Sequence, residues 1–136
     1  LMVVKTKVLQ ANPELGKAIV GAWFEVMDIM SSRTDKGKGA LADMAKAGGS
    51  SLIEYQNQLK TTAMFYKAAD AITYTNGEEI KTNMRRVRNF CSKYELLGAG
   101  VKADDLGIKF SDGTVIGNQN KILFIYDASY MQGASN

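Results

Sequence analysis

The stretch Asn12-Pro13-Glu14-Leu15-Gly16-Lys17-Ala18-Ile19-Val20-Gly21-Ala22-Trp23-Phe24-Glu25-Val26-Met27-Asp28-Ile29-Met30 sets the architecture of this chain. Asn12 is a helix-capping residue type, Pro13 has its φ preset for the first helical position, and Glu14 suits the positive end of the helix dipole. The spacing predicts a helix from Pro13 to about Met30. Leu15, Ile19, Trp23, Val26 and Met30 fall on one stripe, and Val20, Phe24 and Met27 widen it around most of the circumference. A helix this apolar is buried on several sides, so the fold is led by helices and Trp23 is expected in the core.

On the amino-terminal side, Leu1 to Val8 alternates Lys5 and Lys7 against Val4, Thr6 and Val8, the pattern of a strand. On the other side, Ser31 to Gly39 reads as a polar connection, with Lys36-Gly37-Lys38-Gly39 as a flexible turn. A second helix is expected over Ala40 to Ala47, ended by Gly48-Gly49. Ser50 or Ser51 can cap a third helix in which Leu52, Tyr55 and Leu59 share a face. Glu54 lies three residues after Ser51, as in a capping box. Ala63 to Tyr66 reads equally as a short strand or a buried extended connection. Ala68 to Tyr74 reads as a brief helix broken by Thr75-Asn76-Gly77.

A longer helix is predicted from Glu78 to about Tyr94, with Ile80, Met84, Val87, Cys91 and Tyr94 as its inward stripe. Leu96-Leu97-Gly98 closes it. The tail changes period. Ile108 to Phe110 and Thr114 to Ile116 flank Asp112-Gly113, a hairpin signal, and Ile122 to Tyr126 is a continuous apolar run expected as a buried strand. Residues from Met131 onward are expected to fray.

Composition narrows the chemistry. The 136 residues are 46% hydrophobic and 23% charged, which suits an ordinary globular chain. The absence of histidine removes the commonest general base and zinc ligand. The one cysteine, Cys91, lies on an apolar stripe and reads as a packed, inert thiol. Net charge is only +3. The single basic cluster, Arg85-Arg86-x-Arg88, reads as a solvated helix face, so nucleic acid is not an expected partner. Asp104 and Asp105 are adjacent and point apart, which suits a surface loop better than a shared proton. The glycines form no phosphate loop. No residue is assigned as catalytic or metal-ligating, the ligand-binding residues are unknown, and no cofactor is expected.

Three stretches, in order, resemble one family. The first is Val3 to Ala18 with its Asn12-Pro13-Glu14, followed by Gly21-Ala22-Trp23. The second runs from Phe65 through Phe90-Cys91-Ser92-Lys93-Tyr94-Glu95-Leu96-Leu97-Gly98. The third is Asp104 to Phe110 with Asp112-Gly113-Thr114-Val115, then Phe124-Ile125-Tyr126-Asp127 and Tyr130-Met131. Together they resemble the carboxy-terminal portion of the periplasmic solute-binding proteins of ABC importers, of the nitrate, sulfonate, taurine and urea types.

The resemblance implies a two-lobed α/β protein of the type II periplasmic-binding-protein fold, with the solute in the cleft between lobes and an ABC permease as partner. It implies that this chain is one partial domain: a hinge strand over 1–10, a helical region over 12–98 and a short β-rich tail over 106–127. The expected class is α+β, mainly helical with a few short strands. The implied location is the periplasm, or the outer face of the membrane as a lipoprotein, and no catalysis is expected. Two alternatives remain: an enzyme of thiamine-pyrimidine synthesis, which shares the superfamily shape, and a free-standing helical interaction module. The many-sided apolar surface of the first long helix also predicts self-association of this chain.

Overall fold

The computed structural model describes residues 2–134. The protein is α+β, mostly helical with one three-stranded sheet. It divides into two compact units, one of Leu1–Ala71 with Gly133–Asn136 and one of Ile72–Gln132, where the sequence reads as a single partial domain.

The first unit is helical. Its opening helix, α1 (Thr6–Ala11), stands where a strand over 1–10 was expected. A strand needs a neighbour to satisfy its backbone, and the described strands all lie between residues 107 and 125. A helix satisfies its own: the Val8 amide donates to Lys5 O at 2.9 Å and the Asn12 amide to Val8 O at 3.0 Å.

The long helix α2 (Pro13–Ser31) forms as predicted, with Pro13 in its first turn. The Asn12 side chain makes no capping bond, and the Leu15 amide uses the Asn12 carbonyl instead. Of the wide apolar belt, Phe24, Met27 and Met30 are buried. Trp23 is 46% exposed, which corrects its expected place in the core. Helices α1 and α3 pack on α2, and Trp23 and Val26 of the belt remain exposed.

Helix α3 (Asp35–Ala47) starts five residues earlier than its apolar pattern suggests. The Thr34 hydroxyl caps it by accepting from the Gly37 amide at 3.2 Å. The supposed flexible turn at Lys36 to Gly39 is thus its first turn. Gly37 is buried there, and a β-carbon on it would run into the carbonyl oxygens of Ile29 and Ser32 at the end of α2. The close approach of the two helix ends requires the glycine.

Helix α4 (Leu52–Lys60) carries the capping box read from sequence. The Glu54 amide donates to Ser51 Oγ at 3.3 Å, and the Ser51 amide donates to Glu54 Oε2 at 2.8 Å. Residues 63–66 take no regular structure, and α5 (Ala68–Asn76) follows.

The second unit holds the end of α5, then α6 (Glu78–Lys93), a single 3-10 turn (Ala103–Asp105), strands β1 (Gly107–Lys109), β2 (Val115–Ile116) and β3 (Ile122–Ile125), and α7 (Ser129–Gln132). The strand order is β2-β1-β3. β1 and β2 form the expected antiparallel hairpin, with Ile108 opposite Ile116. Gly113 takes φ 85°, the left-handed value that the tight turn demands. β3 runs parallel to β1, with Ile108 opposite Phe124. Its side chains alternate between faces, so Leu123 and Ile125 are exposed rather than buried. Met131 belongs to α7, and Ser135 and Asn136 lie outside the described residues.

The core of this unit is Ile80, Ile108, Phe110, Ile116 and Tyr126, with Tyr74, Met84 and Phe124 around it. Phe110 is 1% exposed and stacks on Tyr126 with ring centres 5.5 Å apart. The inward face of α6 is turned from its predicted stripe. It buries Ile80, Lys81 and Arg88, while Val87 and Tyr94 point to solvent. Helix α6 ends at Lys93, and the chain turns away through Glu95, which adopts φ 53°, with the Leu96 amide donating to Cys91 O at 2.9 Å.

Candidate functional site

The second unit offers one polar concavity, of about 310 Å³, lined by Asn76, Ser111, Asp112, Asp127, Ala128, Ser129 and Gln132. It is wide open. Its walls are turns, and each polar group used there is fixed by the fold. Ser111 sits just after the core residue Phe110, where the chain leaves β1. Its hydroxyl donates to Tyr126 O and accepts from the Ala128 amide, both at 3.0 Å, and so ties the end of β3 to the hairpin.

Asp112 opens the hairpin turn. Its Oδ1 accepts from the Thr114 amide at 2.9 Å and its Oδ2 accepts from Lys81 Nζ at 2.6 Å. Lys81 Nζ also donates to Glu78 at 2.6 Å. The Lys81 side chain is only 5% exposed, so the ammonium must meet carboxylates to remain charged. The Lys81 hydrogen bond, aided by the Thr114 amide, lowers the Asp112 carboxyl to about 2. The hydrogen bonds it donates to Asp112 and then to Glu78 raise the Lys81 ammonium above its ordinary value, against the opposing effect of burial.

Asp127 closes the other wall. Its Oδ1 accepts from the Ser129 amide at 2.9 Å and from the Ser129 hydroxyl at 2.6 Å, fixing the start of α7. Burial, and then the neighbouring Tyr74, raise the Tyr126 hydroxyl, which donates to Met84 Sδ at 3.1 Å.

The chemistry of this concavity is that of a locked turn. Asp112 and Asp127 are both engaged, Asp112 with Lys81 and the Thr114 amide and Asp127 with the amide and hydroxyl of Ser129. Among the described residues no cluster of His, Cys, Asp or Glu could hold a metal ion. An open polar dish of this kind can exchange hydrogen bonds with water or a small solute, but it excludes neither water nor competitors.

The residues singled out from sequence fall elsewhere. Arg88 is not on a solvated face: it is buried and donates from Nε and Nη2 to Ala103 O and from Nη2 to Asp104 at 2.9 Å. Arg85 and Arg86 remain exposed. Asp104 and Asp105 point apart as expected. Asp104 pairs with Arg88, and Asp105 accepts from the Lys102 amide at 2.8 Å. Cys91 is a half-buried free thiol. Sequence reasoning missed the Lys81–Glu78–Asp112 group. Glu78 and Lys81 are three apart on a predicted helix, a readable signal, but Asp112 is remote in sequence and carries none.

A second kind of surface is apolar. Each unit exposes large hydrophobic side chains on a well-formed helix: Trp23 and Val26 on α2, and Val87 and Phe90 on α6 with Tyr94 at its end. Among the described residues no helix is long and apolar enough to cross a membrane. Comparison with protein-family models, with curated proteins and with solved structures finds no match to this chain.

Proposed function

We propose that this chain is the carboxy-terminal part of an extracytoplasmic solute-binding protein serving an ABC importer for a small anionic or polar solute, such as nitrate, a sulfonate, taurine or urea. One observation carries the reading: three motif-bearing stretches resemble that family in the same order along the chain, from Asn12-Pro13-Glu14 through the Leu96-Leu97-Gly98 exit to Asp112-Gly113-Thr114 and Phe124 to Asp127. Two features agree with it. The helix-dominated α+β class is compatible with part of a type II periplasmic-binding-protein fold. The exposed apolar flanks of α2 and α6 are surfaces that further polypeptide would cover.

In this reading the solute lies between two lobes that close by a hinge, and the closed form docks on a membrane permease. The protein works by binding alone, in the periplasm or tethered outside the membrane, and needs no cofactor. In this reading the solute cleft is not the dish beside Asp112, which is open to solvent, whereas a solute cleft encloses its ligand.

The test uses the gene together with its upstream sequence. The whole gene product should bind one of nitrate, taurine, an alkanesulfonate or urea at micromolar level by calorimetry. The 136-residue chain alone should bind none of them. Deleting the gene should abolish uptake of the same labelled solute. Unchanged uptake of all four, or micromolar binding by the short chain, would overturn the proposal.

A further inference from the structure

We infer that Asn76 is a self-modification site, at which the Gly77 amide nitrogen closes on the Asn76 carboxamide and converts it to aspartate or isoaspartate. The inference does not rest on the import reading.

Asn76 is the last residue of α5, and Gly77 is the joint that leads into α6. The asparagine is exposed and lines the polar dish. No hydrogen bond among the described residues holds its carboxamide. Other carboxamides are held. Asn57 accepts from Lys60 Nζ at 3.1 Å, Asn83 donates to the Tyr74 hydroxyl at 3.2 Å, and Asn118 accepts from the Asn120 amide at 2.9 Å. The residue that follows each of these carries a side chain, which screens the next amide. Asn12 is followed by Pro13, which has no amide hydrogen. Asn76 alone precedes a glycine, so its attacking nitrogen is unscreened.

One bond restrains that nitrogen. The Gly77 amide donates to Tyr74 O at 3.1 Å and closes the last turn of a nine-residue helix. End turns of this kind open locally at little cost. Once the turn is open, base removes the Gly77 amide proton and the nitrogen attacks Asn76 Cγ. The new N–Cγ bond closes a five-membered succinimide. The Cγ–Nδ2 bond breaks, and Nδ2 leaves as ammonia with a proton taken from solvent. Water then reopens the ring. Attack at Cγ restores the main chain and leaves aspartate, whereas attack at the Asn76 main-chain carbonyl leaves isoaspartate. No oxidant or reductant takes part.

The dish contains its own control. Asp112-Gly113 is a second acyl-bearing residue before glycine, on the same rim. Asp112 is fixed by Lys81 and by the Thr114 amide and stays ionised down to about 2. An ionised carboxylate resists nucleophilic attack, so this junction is blocked while Asn76-Gly77 is open. Either product at Asn76 adds a carboxylate to the rim that Asp112 and Asp127 already line. Isoaspartate also lengthens the main chain by one carbon between α5 and α6.

The test incubates the folded chain at neutral and mildly alkaline pH and reads its peptides by mass spectrometry. Asn76 should convert ahead of every other asparagine, to a mixture of aspartate and isoaspartate. The rate should rise about tenfold per pH unit, because the deprotonated amide is the attacking species. Gly77→Ala should slow conversion at least about tenfold, since a β-carbon screens the nitrogen. That β-carbon would meet Thr73 O at 3.2 Å and Tyr74 O at 3.4 Å, a small adjustment that circular dichroism should report as folded. Should the variant not fold, the pH slope and the order among asparagines still decide. Asp112 should show no isomerisation over the same period. An Asn76 that stays intact, another asparagine that converts first, or a rate indifferent to pH or to Gly77→Ala in the folded variant would each overturn the inference. These readouts do not involve solute binding, so they can fail while the import reading stands, and the reverse.

Discussion

The two units are built from different kinds of contact. The first is held by neighbours in sequence: the Thr34 cap on α3, the Ser51–Glu54 box on α4, and a small apolar contact at Phe24, Met27, Met30 and Ala45. Helices α1 and α4 bury no residue fully. The second unit is held by residues far apart in sequence. Phe110 stacks on Tyr126, Lys81 reaches Asp112, and Arg88 reaches Ala103 and Asp104. Local contacts make helices form, whereas remote contacts make a packing arrangement unique. The second unit should therefore be the more cooperative and the more sensitive to single lesions.

The largest effect should come from Phe110→Ala. Among the described residues this is the most buried large side chain, and it stacks on Tyr126, just after β3. Truncation of a buried phenylalanine costs about 3–5 kcal/mol, enough to unfold a small unit near room temperature. Amide exchange along α6 and the strands should lose its protection. Trp23, the sole tryptophan, lies in the first unit, and its fluorescence transition should move far less. A collapse of both signals together would erase the contrast between the units.

A smaller effect should follow from acid. Asp112 is depressed from 3.8 to about 2 in the folded state, so its contribution is complete above pH 3.8 and is lost as pH falls towards 2. Lys81, raised in the folded state, contributes fully below its ordinary value of 10.5 and loses that contribution as pH rises beyond it. The ion group is thus intact across the neutral range. Stability of the second unit, followed by amide exchange, should fall between pH 3.8 and 2, and Asp112→Asn should flatten that slope. An equal acid slope in the variant would remove Asp112 from the account.

The same contrast decides what the sequence reveals. Features written within a few residues were legible: Pro13 at the start of α2, Ser51 with Glu54, and Asp112-Gly113 at the hairpin. Features that need a remote partner were not. Val87 and Tyr94 sit at core spacing, yet α6 buries Lys81 and Arg88, because Asp112 and the Ala103–Asp104 turn are there to receive them. Periodicity ranks residues by polarity and cannot see a carboxylate 31 positions away. The start of the chain failed for a related reason. Its alternation is that of a strand, but among the described residues of the first unit there is no strand to pair with it, and α1 forms. The polar dish had no signal at all, since Ser111, Asp127 and Ser129 are ordinary turn residues until the sheet brings them together.

In the first unit, Ser51→Ala should cost about 1 kcal/mol, the usual loss for a helix cap. The Ser51 hydroxyl and amide hydrogen bonds lower the Glu54 carboxyl, with the hydroxyl the larger cause. Carbon-detected titration should therefore show Glu54 moving back up towards its ordinary value in the variant, while the Asp112 titration stays put. A Glu54 titration that does not move would mean that the box is not formed in solution.

The smallest effect should be at Trp23, and it sharpens the comparison most. A tryptophan in a core costs about 3–5 kcal/mol to truncate, whereas a surface substitution by a good helix former stays within about 0.5 kcal/mol. Trp23 is 46% exposed on α2, although it lies one turn from the buried Met27. Trp23→Gln should therefore leave the denaturation midpoint of the first unit, followed by circular dichroism, almost unchanged. A core-sized loss of stability would mean that the belt of α2 is covered within this chain after all. The case for further polypeptide against α2 would then lose its physical support.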